Sequence, residues 1–253
     1  MRHLIALLLA APAFAQTTVF TDTFDSGPSV LWENQRGDWT ASGGVYFAQT
    51  PSNSPPTLST VPFVVGDCDI DVDVVGVIDG GIWVHVDQNA QNGVLLVTGG
   101  DNRTGRGLYW HAITNGGYSG SLGRTGPLFN QGDTIHVTIK VRGDIYAAYV
   151  NNNPIPATIL NTGNYPAGRA GVYDYTAQPQ QAFDNFVLTL PPLCDPDVNC
   201  DGAVNGFDIE VMEQAVNGDL TNFCQLNPDY NHDGSVNGFD VEAVEQGVNG
   251  APC

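Results

Sequence analysis

Hydrophobic and polar residues alternate along most of the chain. The stretches "DIDVDVVGV" (69–77), "GIWVHVD" (81–87), "GVLLVTGG" (93–100) and "GLYWHAI" (107–113) each place apolar side chains at every second position or in a short run. So do "DTIHVTIKV" (133–141), "DIYAAYV" (144–150), "RAGVYDY" (169–175) and "FDNFVLTL" (183–190). Gly, Asn, Asp or Pro bounds every run. Period-two patterning with turn residues between the runs predicts many short antiparallel strands, hence a sandwich or barrel. About 175 residues, 16–190, are enough for one such domain with its own core.

The rhythm changes at Pro191-Pro192. Beyond this linker, 191–193, apolar residues recur at helical spacing: Ile209, Met212 and Val216, then Val241, Val244 and Val248. Asn217-Gly218 and Asn249-Gly250 follow as stop signals. Each helix is too short to stand alone, so the two must pack on one another.

A loop precedes each helix, and the two loops are near copies. In the first, Asp197, Asn199, Asp201, Asn205 and Asp208 hold the first, third, fifth, ninth and twelfth places. Gly202 sits sixth, where a sharp turn is needed, and Ala203 can offer its carbonyl. In the second, Asp229, Asn231, Asp233, Asn237 and Asp240 repeat the pattern, with Gly234 sixth and Ser235 seventh. Calcium takes six to eight oxygen ligands, and this spacing wraps them around one point, giving two ions. Val204 and Val236, both eighth, are expected to join the small core and pair the loops' backbones. The region 194–253 holds no Lys or Arg, so metal binding should appear largely as folding free energy. An Asx-rich surface turn could explain one loop, but not two in register.

Two features depart from an EF-hand: the twelfth residue is Asp rather than Glu, and Pro196 and Pro228 block an entering helix. With these features the segment resembles a type I dockerin, a calcium-folded tether whose partner is a cohesin module. The resemblance implies that the tenth and eleventh loop places, Gly206-Phe207 and Gly238-Phe239, touch the partner. They are not the Ser-Thr pair common in cellulosomal members, so the partner is a cohesin-like or other extracellular scaffold protein. A competing expectation is that both Phe side chains enter the small core.

Charge and cysteines add the compartment. The chain carries 8 Lys+Arg against 27 Asp+Glu, a net charge of -19. Such a balance excludes nucleic acid, whose binders need a basic footprint. At the start, "MRHLIALLLAAPAFAQ" has Arg2, an apolar run Leu4–Leu9 and the small-x-small ending Ala13-Phe14-Ala15. It reads as a signal peptide, 1–15, cleaved near Ala15-Gln16, and implies a secreted protein. The run is too short to span a bilayer. Cys68 stands alone. Cys194, Cys200, Cys224 and Cys253 cluster in the tail, where four cysteines allow three pairings. We favour Cys194–Cys253 and Cys200–Cys224.

Candidate chemistry in the first domain lies on two strands. Along 81–87, alternation puts Trp83, His85 and Asp87 on one face and Ile82, Val84 and Val86 on the core face. Along 107–113, Tyr109 and His111 lie opposite Leu108, Trp110 and Ala112. Arg106 and Tyr118 flank them. Aromatic faces with a few polar groups suit a sugar groove and a polysaccharide ligand. An ordinary polar sheet face is the plainer alternative. Asp69, Asp71 and Asp73, together with Asp87 and His85, are the pool for a sugar-cleaving enzyme, although a solvated strand face explains the three strand carboxylates more simply. With "DTFDSGPSVLW", "DGGIWVHVD", "GVLLVTGG" and "AFDNFVLTL", the region resembles the concanavalin A-like lectin/glucanase superfamily. The expected fold is mainly β: an antiparallel jelly-roll sandwich plus a small α-helical calcium-binding domain. An adhesin for protein is a third possible use of the sandwich.

Overall fold

The structure is a computed structural model that describes residues 17–99, 106–175, 180–191, 195–225, 227–231 and 234–251. The expected signal peptide, the greater part of the expected linker, Asp233, and the expected Cys194–Cys253 pair lie outside the described residues. The chain divides into two compact units, Thr17–Leu190 and a second within Pro191–Cys253.

The first unit is a sandwich of two antiparallel sheets. The larger runs β12 (Thr158–Asn161), β11 (Ile145–Val150), β10 (Ile135–Arg142), β5 (Cys68–Val75), β14 (Ala182–Leu190), β3 (Val45–Ala48) and β2 (Trp39–Ser42), with β1 (Thr17–Asp22) on the far half of β14. The smaller runs β4 (Ser59–Thr60), β13 (Arg169–Asp174), β6 (Gly80–Val86), β7 (Gly93–Gly99), β8 (Gly107–Thr114) and β9 (Gly117–Tyr118).

Alternation explains the core. Ile70, Val72 and Val74 of β5 and Val137, Ile139 and Val141 of β10 face Val94 and Leu96 of β7 and Leu108 and Trp110 of β8. Burying each such aliphatic side chain stabilises by roughly 1.5–3 kcal/mol. One end is aromatic: Tyr46 stacks on Phe24 at 4.9 Å, and Trp32 meets Phe186 edge-on at 5.0 Å. Strict alternation fails on β14, where Phe183 and Phe186 are both core residues three positions apart. A register shift between Asp184 and Val187, with Asn185 at φ 49°, absorbs the extra residue as a β-bulge.

The second unit contains helices α1 (Gly206–Val216) and α2 (Gly238–Val248). Asn205 and Asn237 cap them, accepting from Phe207 N and Phe239 N, and Asp208 and Asp240 complete capping boxes. Val198, Val211, Met212, Tyr230 and Val244 form the core, with Ile209, Val216, Val241 and Val248 packed on its margin. The expected role of the eighth loop residues is corrected. Val236 is 43% exposed and Val204 only half-buried, so the second loop places, Val198 and Tyr230, anchor the loops instead. Their side chains leave the loop toward the helix pair, whereas the eighth residues do not. Cys200 and Cys224 form a disulfide. Cys68 is a buried free thiol, pushed up to about 12 by burial among apolar side chains.

Candidate functional site

The outer face of the six-stranded sheet is not polar. Rows of side chains cross it through the strand register. One row is Tyr173, Gly81, Val97 and Tyr109; the next is Gly171, Trp83, Leu95 and His111. Tyr173 and Val97 therefore flank a position without a side chain. A Cβ at Gly81 would fall 2.1 Å from the Leu96 carbonyl oxygen, so only glycine fits there. The result is a pocket of about 410 Å³ lined by Leu95, Val97, Tyr109, His111, Tyr118 and Tyr173, with Asn53 and Asp79 at its edge.

Tyr109, His111 and Tyr118 stand in succession, each ring edge-on to the next at 5.3 Å. His111 Nδ1 lies 2.8 Å from the Ser119 carbonyl oxygen, which can only accept. That fixes the proton on Nδ1 of the neutral ring and leaves Nε2 as an acceptor. Burial lowers the His111 pKa, and the carbonyls of Ser119 and Gly120 only partly offset it. Tyr173 donates to Asn53 Oδ1 at 3.1 Å, and burial raises its pKa as well. Burial pushes Asp79 up to about 6, against the opposing charge of Arg106, and Tyr118 up to about 12.

Three of the expected groove residues are placed differently. Trp83 does lie on this face, but it is fully buried: its Nε1 donates to the Thr57 carbonyl oxygen at 3.1 Å, and Leu58 packs over it. An apolar sheet face has to be covered, and the segment around Thr57-Leu58 covers it. His85 turns the other way. Opposite Ala170 the strand carries both Val84 and His85, a bulge with His85 at φ 48°. Alternation is thereby reversed, so Val86 joins the outer cluster and His85 faces inward. There His85 meets the Tyr146 hydroxyl at 2.8 Å and the carbonyls of Tyr165 and Gly66. Asp87 lies beyond the strand end and holds its own turn. It accepts from the backbone of Asn89, Gln91 and Asn92, with its pKa lowered by those hydrogen bonds despite partial burial.

Sequence reasoning missed Asn53, Asp79 and Tyr173. The Tyr173–Gly81 pairing is a long-range fact that no local pattern carries. Nor do the five candidate catalytic residues converge. Asp69, Asp71 and Asp73 point from β5 to the outside of the other sheet. There Arg142 pairs Asp69 at 2.7 Å, and His136 spans Asp73 at 2.8 Å and Asp71 at 3.3 Å. Asn185 Nδ2 donates to Asp73, and Thr138 to Asp71.

In the second unit both loops turn sharply at their sixth place. Gly202 and Gly234, both sixth, have φ of 84° and 88°. Asp197 accepts from Asp201 N and Gly202 N, and Asn199 accepts from Asp201 N. Asp208 is fully buried and accepts from Asn199 N and Asn205 N; Asp240 does the same for Asn231 and Asn237. Among the described residues no three carboxylates sit together in a ready-made metal cage. The donor set is nevertheless all oxygen, and an ionised carboxylate has about four lone-pair sites, so these bonds leave acceptor capacity. That chemistry fits calcium. Phe207 and Phe239 are 67% and 65% exposed, so the expectation that they enter the core does not hold.

Comparison with known proteins follows the same division. Among curated proteins, none matches the chain by sequence. The sandwich is similar to the carbohydrate-binding module CBM66 from Bacillus subtilis, with a TM-score of 0.53 at 14% identity, covering 63% of this chain and 95% of that one. A xylan β-1,4-xylosidase from Bacillus halodurans gives 0.49 at 11% identity, over 67% of this chain and 38% of that one. At 14% identity the likeness to the binding module is one of fold, a jelly-roll sandwich. No helix among the described residues is long and apolar enough to cross a membrane. Residues 195–249 match the family model of the dockerin type I domain, a kind of domain that binds calcium and occurs in extracellular proteins, so the chain joins a β-sandwich to a dockerin.

Proposed function

We propose that this chain is a secreted glycan-recognising module, held to an extracellular scaffold by its calcium-folded dockerin. The pocket of Tyr109, His111, Tyr118 and Tyr173 is the observation that carries the reading. Its aromatic walls suit the C–H face of a sugar ring. Asn53, Asp79 and the His111 Nε2 acceptor suit hydroxyl groups. A glycan array and a reducing-sugar release screen, both on the full calcium-loaded chain, test it. Binding without turnover supports recognition. Turnover makes the sandwich an enzyme, and silence in both removes the reading.

The tether rests on two ions. The first is held by Asp197, Asn199, Asp201, the Ala203 carbonyl, Asn205 and Asp208; the second by Asp229, Asn231, Asp233, Ser235, Asn237 and Asp240. Calorimetric titration should count two calcium ions per chain, and Asp201→Ala and Asp233→Ala should each remove one. The exposed pairs Gly206-Phe207 and Gly238-Phe239 form two near-equivalent contact faces for a cohesin-like partner. Either single Phe→Ala change should then weaken partner binding little, and the double change should abolish it. Loss of binding in one single variant, with fold and calcium affinity intact, would show that the faces are not equivalent.

A further inference from the structure

The chain has only 8 Lys and Arg for 27 Asp and Glu, so where its cations gather is informative. One of the eight, Arg124, lies against a residue of the tyrosine pocket, and two more, Arg106 and Arg36, act on its lining residues through their charge. The Arg124 guanidinium lies 4.5 Å from the centre of the Tyr109 ring, on the pocket wall. Arg106 immediately precedes β8, where its side chain donates to Gln131 at 2.8 Å, and its charge acts on Asp79. Arg36 is held by the carbonyls of Pro56 and Asn89 beside the segment that roofs Trp83, and its charge acts on Tyr118. The side chains of three chain-distant arginines thus bear on three different lining residues.

Among the described residues one carboxylate lines the same pocket, Asp79, and burial pushes it up to about 6, against the charge of Arg106. The opposite sheet carries the reverse arrangement. There the β5 carboxylates dominate, and Arg142 and Lys140 are the cations of the adjoining strand. A chain of net charge -19 repels polyanions almost everywhere.

We infer that the pocket takes a sugar bearing an anionic substituent, a carboxylate or a sulfate, gripped by the arginines of its rim. The inference rests on the glycan reading of the same pocket and adds the class of ligand. Guanidinium is the group suited to it. Its planar fork pairs with two oxygens of a carboxylate or sulfate at once, and it stacks on an aromatic face as Arg124 does on Tyr109. The tyrosine faces favour a pyranose or furanose ring over an acidic peptide, whose flexible side chain would use the charge but not the stacking surface.

The test compares ligands that differ only in charge. Full-length calcium-loaded protein is titrated calorimetrically with short oligouronates and with their methyl esters. Sulfated and desulfated galactan oligosaccharides form a second pair, and a glutamate-rich peptide is the control. The acidic member of at least one pair should bind tenfold or more tightly than its neutral twin, and the pair that responds separates carboxylate from sulfate. Arg124 is exposed, so Arg124→Gln should keep the melting temperature and lose most of that preference, while Arg124→Lys should keep part of it. Equal binding of charged and neutral twins, or a preference untouched by Arg124→Gln and Arg36→Gln together, overturns the inference and leaves the glycan reading standing. A peptide that binds as tightly as the acidic sugars also overturns it. No binding by any sugar removes both.

Discussion

The two outer faces of the sandwich are built from strands with the same alternation, yet they meet water in opposite ways. On β5 every second residue points outward as Asp, and β10 answers with His136, Thr138 and Arg142. Partly exposed partners settle Asp71 and Asp73, and Arg142 settles Asp69, which is itself buried. On β6 and β7 the outward residues are Trp83, Leu95 and Val97, which water cannot satisfy. The Thr57-Leu58 segment folds over Trp83, and the pocket opens beside it, above Gly81. A binding site here is the uncovered remainder of an apolar face, whereas a charged face needs no remainder.

The largest test of that contrast is Trp83→Ala. It should cost roughly 3–5 kcal/mol of stability, the range for deleting a buried Trp, measured by chemical denaturation. A loss under 1 kcal/mol would mean that the roof is not there. Next comes Asp79→Asn. The Asp79 pKa is raised by burial from 3.8 to about 6, so the folded state binds the extra proton between those values. Stability therefore falls as pH rises from about 4 to about 6, and stays lower above. The Asn variant should be more stable at pH 7.5 by on the order of 1 kcal/mol and indistinguishable below pH 4. Thermal melts at the two pH values decide it, and equal differences at both would refute the burial argument. Smallest of all is Asp71→Asn on the other face. Its partners are half-exposed, so the change should stay within about 1 kcal/mol. A loss above about 2 kcal/mol would make the carboxylate ladder a structural element and erase the contrast.

The same residues show what a sequence reveals. Outward Asp on β5 was legible because charge names its face. Tyr109 and His111 were placed on one side of β8 by alternation alone, and the glycine turns and Asn caps of the two loops were legible because every residue of that pattern is local. His85 and Phe186 were not legible, because a bulge costs one residue of register and leaves no residue type as its mark. Trp83 looked like an exposed anchor since no local signal tells that residues 57 and 58 will lie across it. Tyr173 and Asn53 joined the site through pairings far along the chain. The exposure of Phe207 and Phe239 could not be read from their apolarity; it follows from their place at the start of a capped helix, facing away from the helix pair.

The disulfide in the second unit gives its two copies different histories. Cys200 occupies the fourth place of the first loop and is joined to Cys224, 24 residues on; the fourth place of the second loop is His232. In the unfolded chain the first copy is already a closed ring, and closing a ring of that size is worth about 3 kcal/mol. The second copy, residues 229–250, contains no cysteine and so no ring of its own. The first copy is therefore expected to form early and be lost late, although the two are nearly identical in sequence. Reduction would erase that order and make the copies interchangeable.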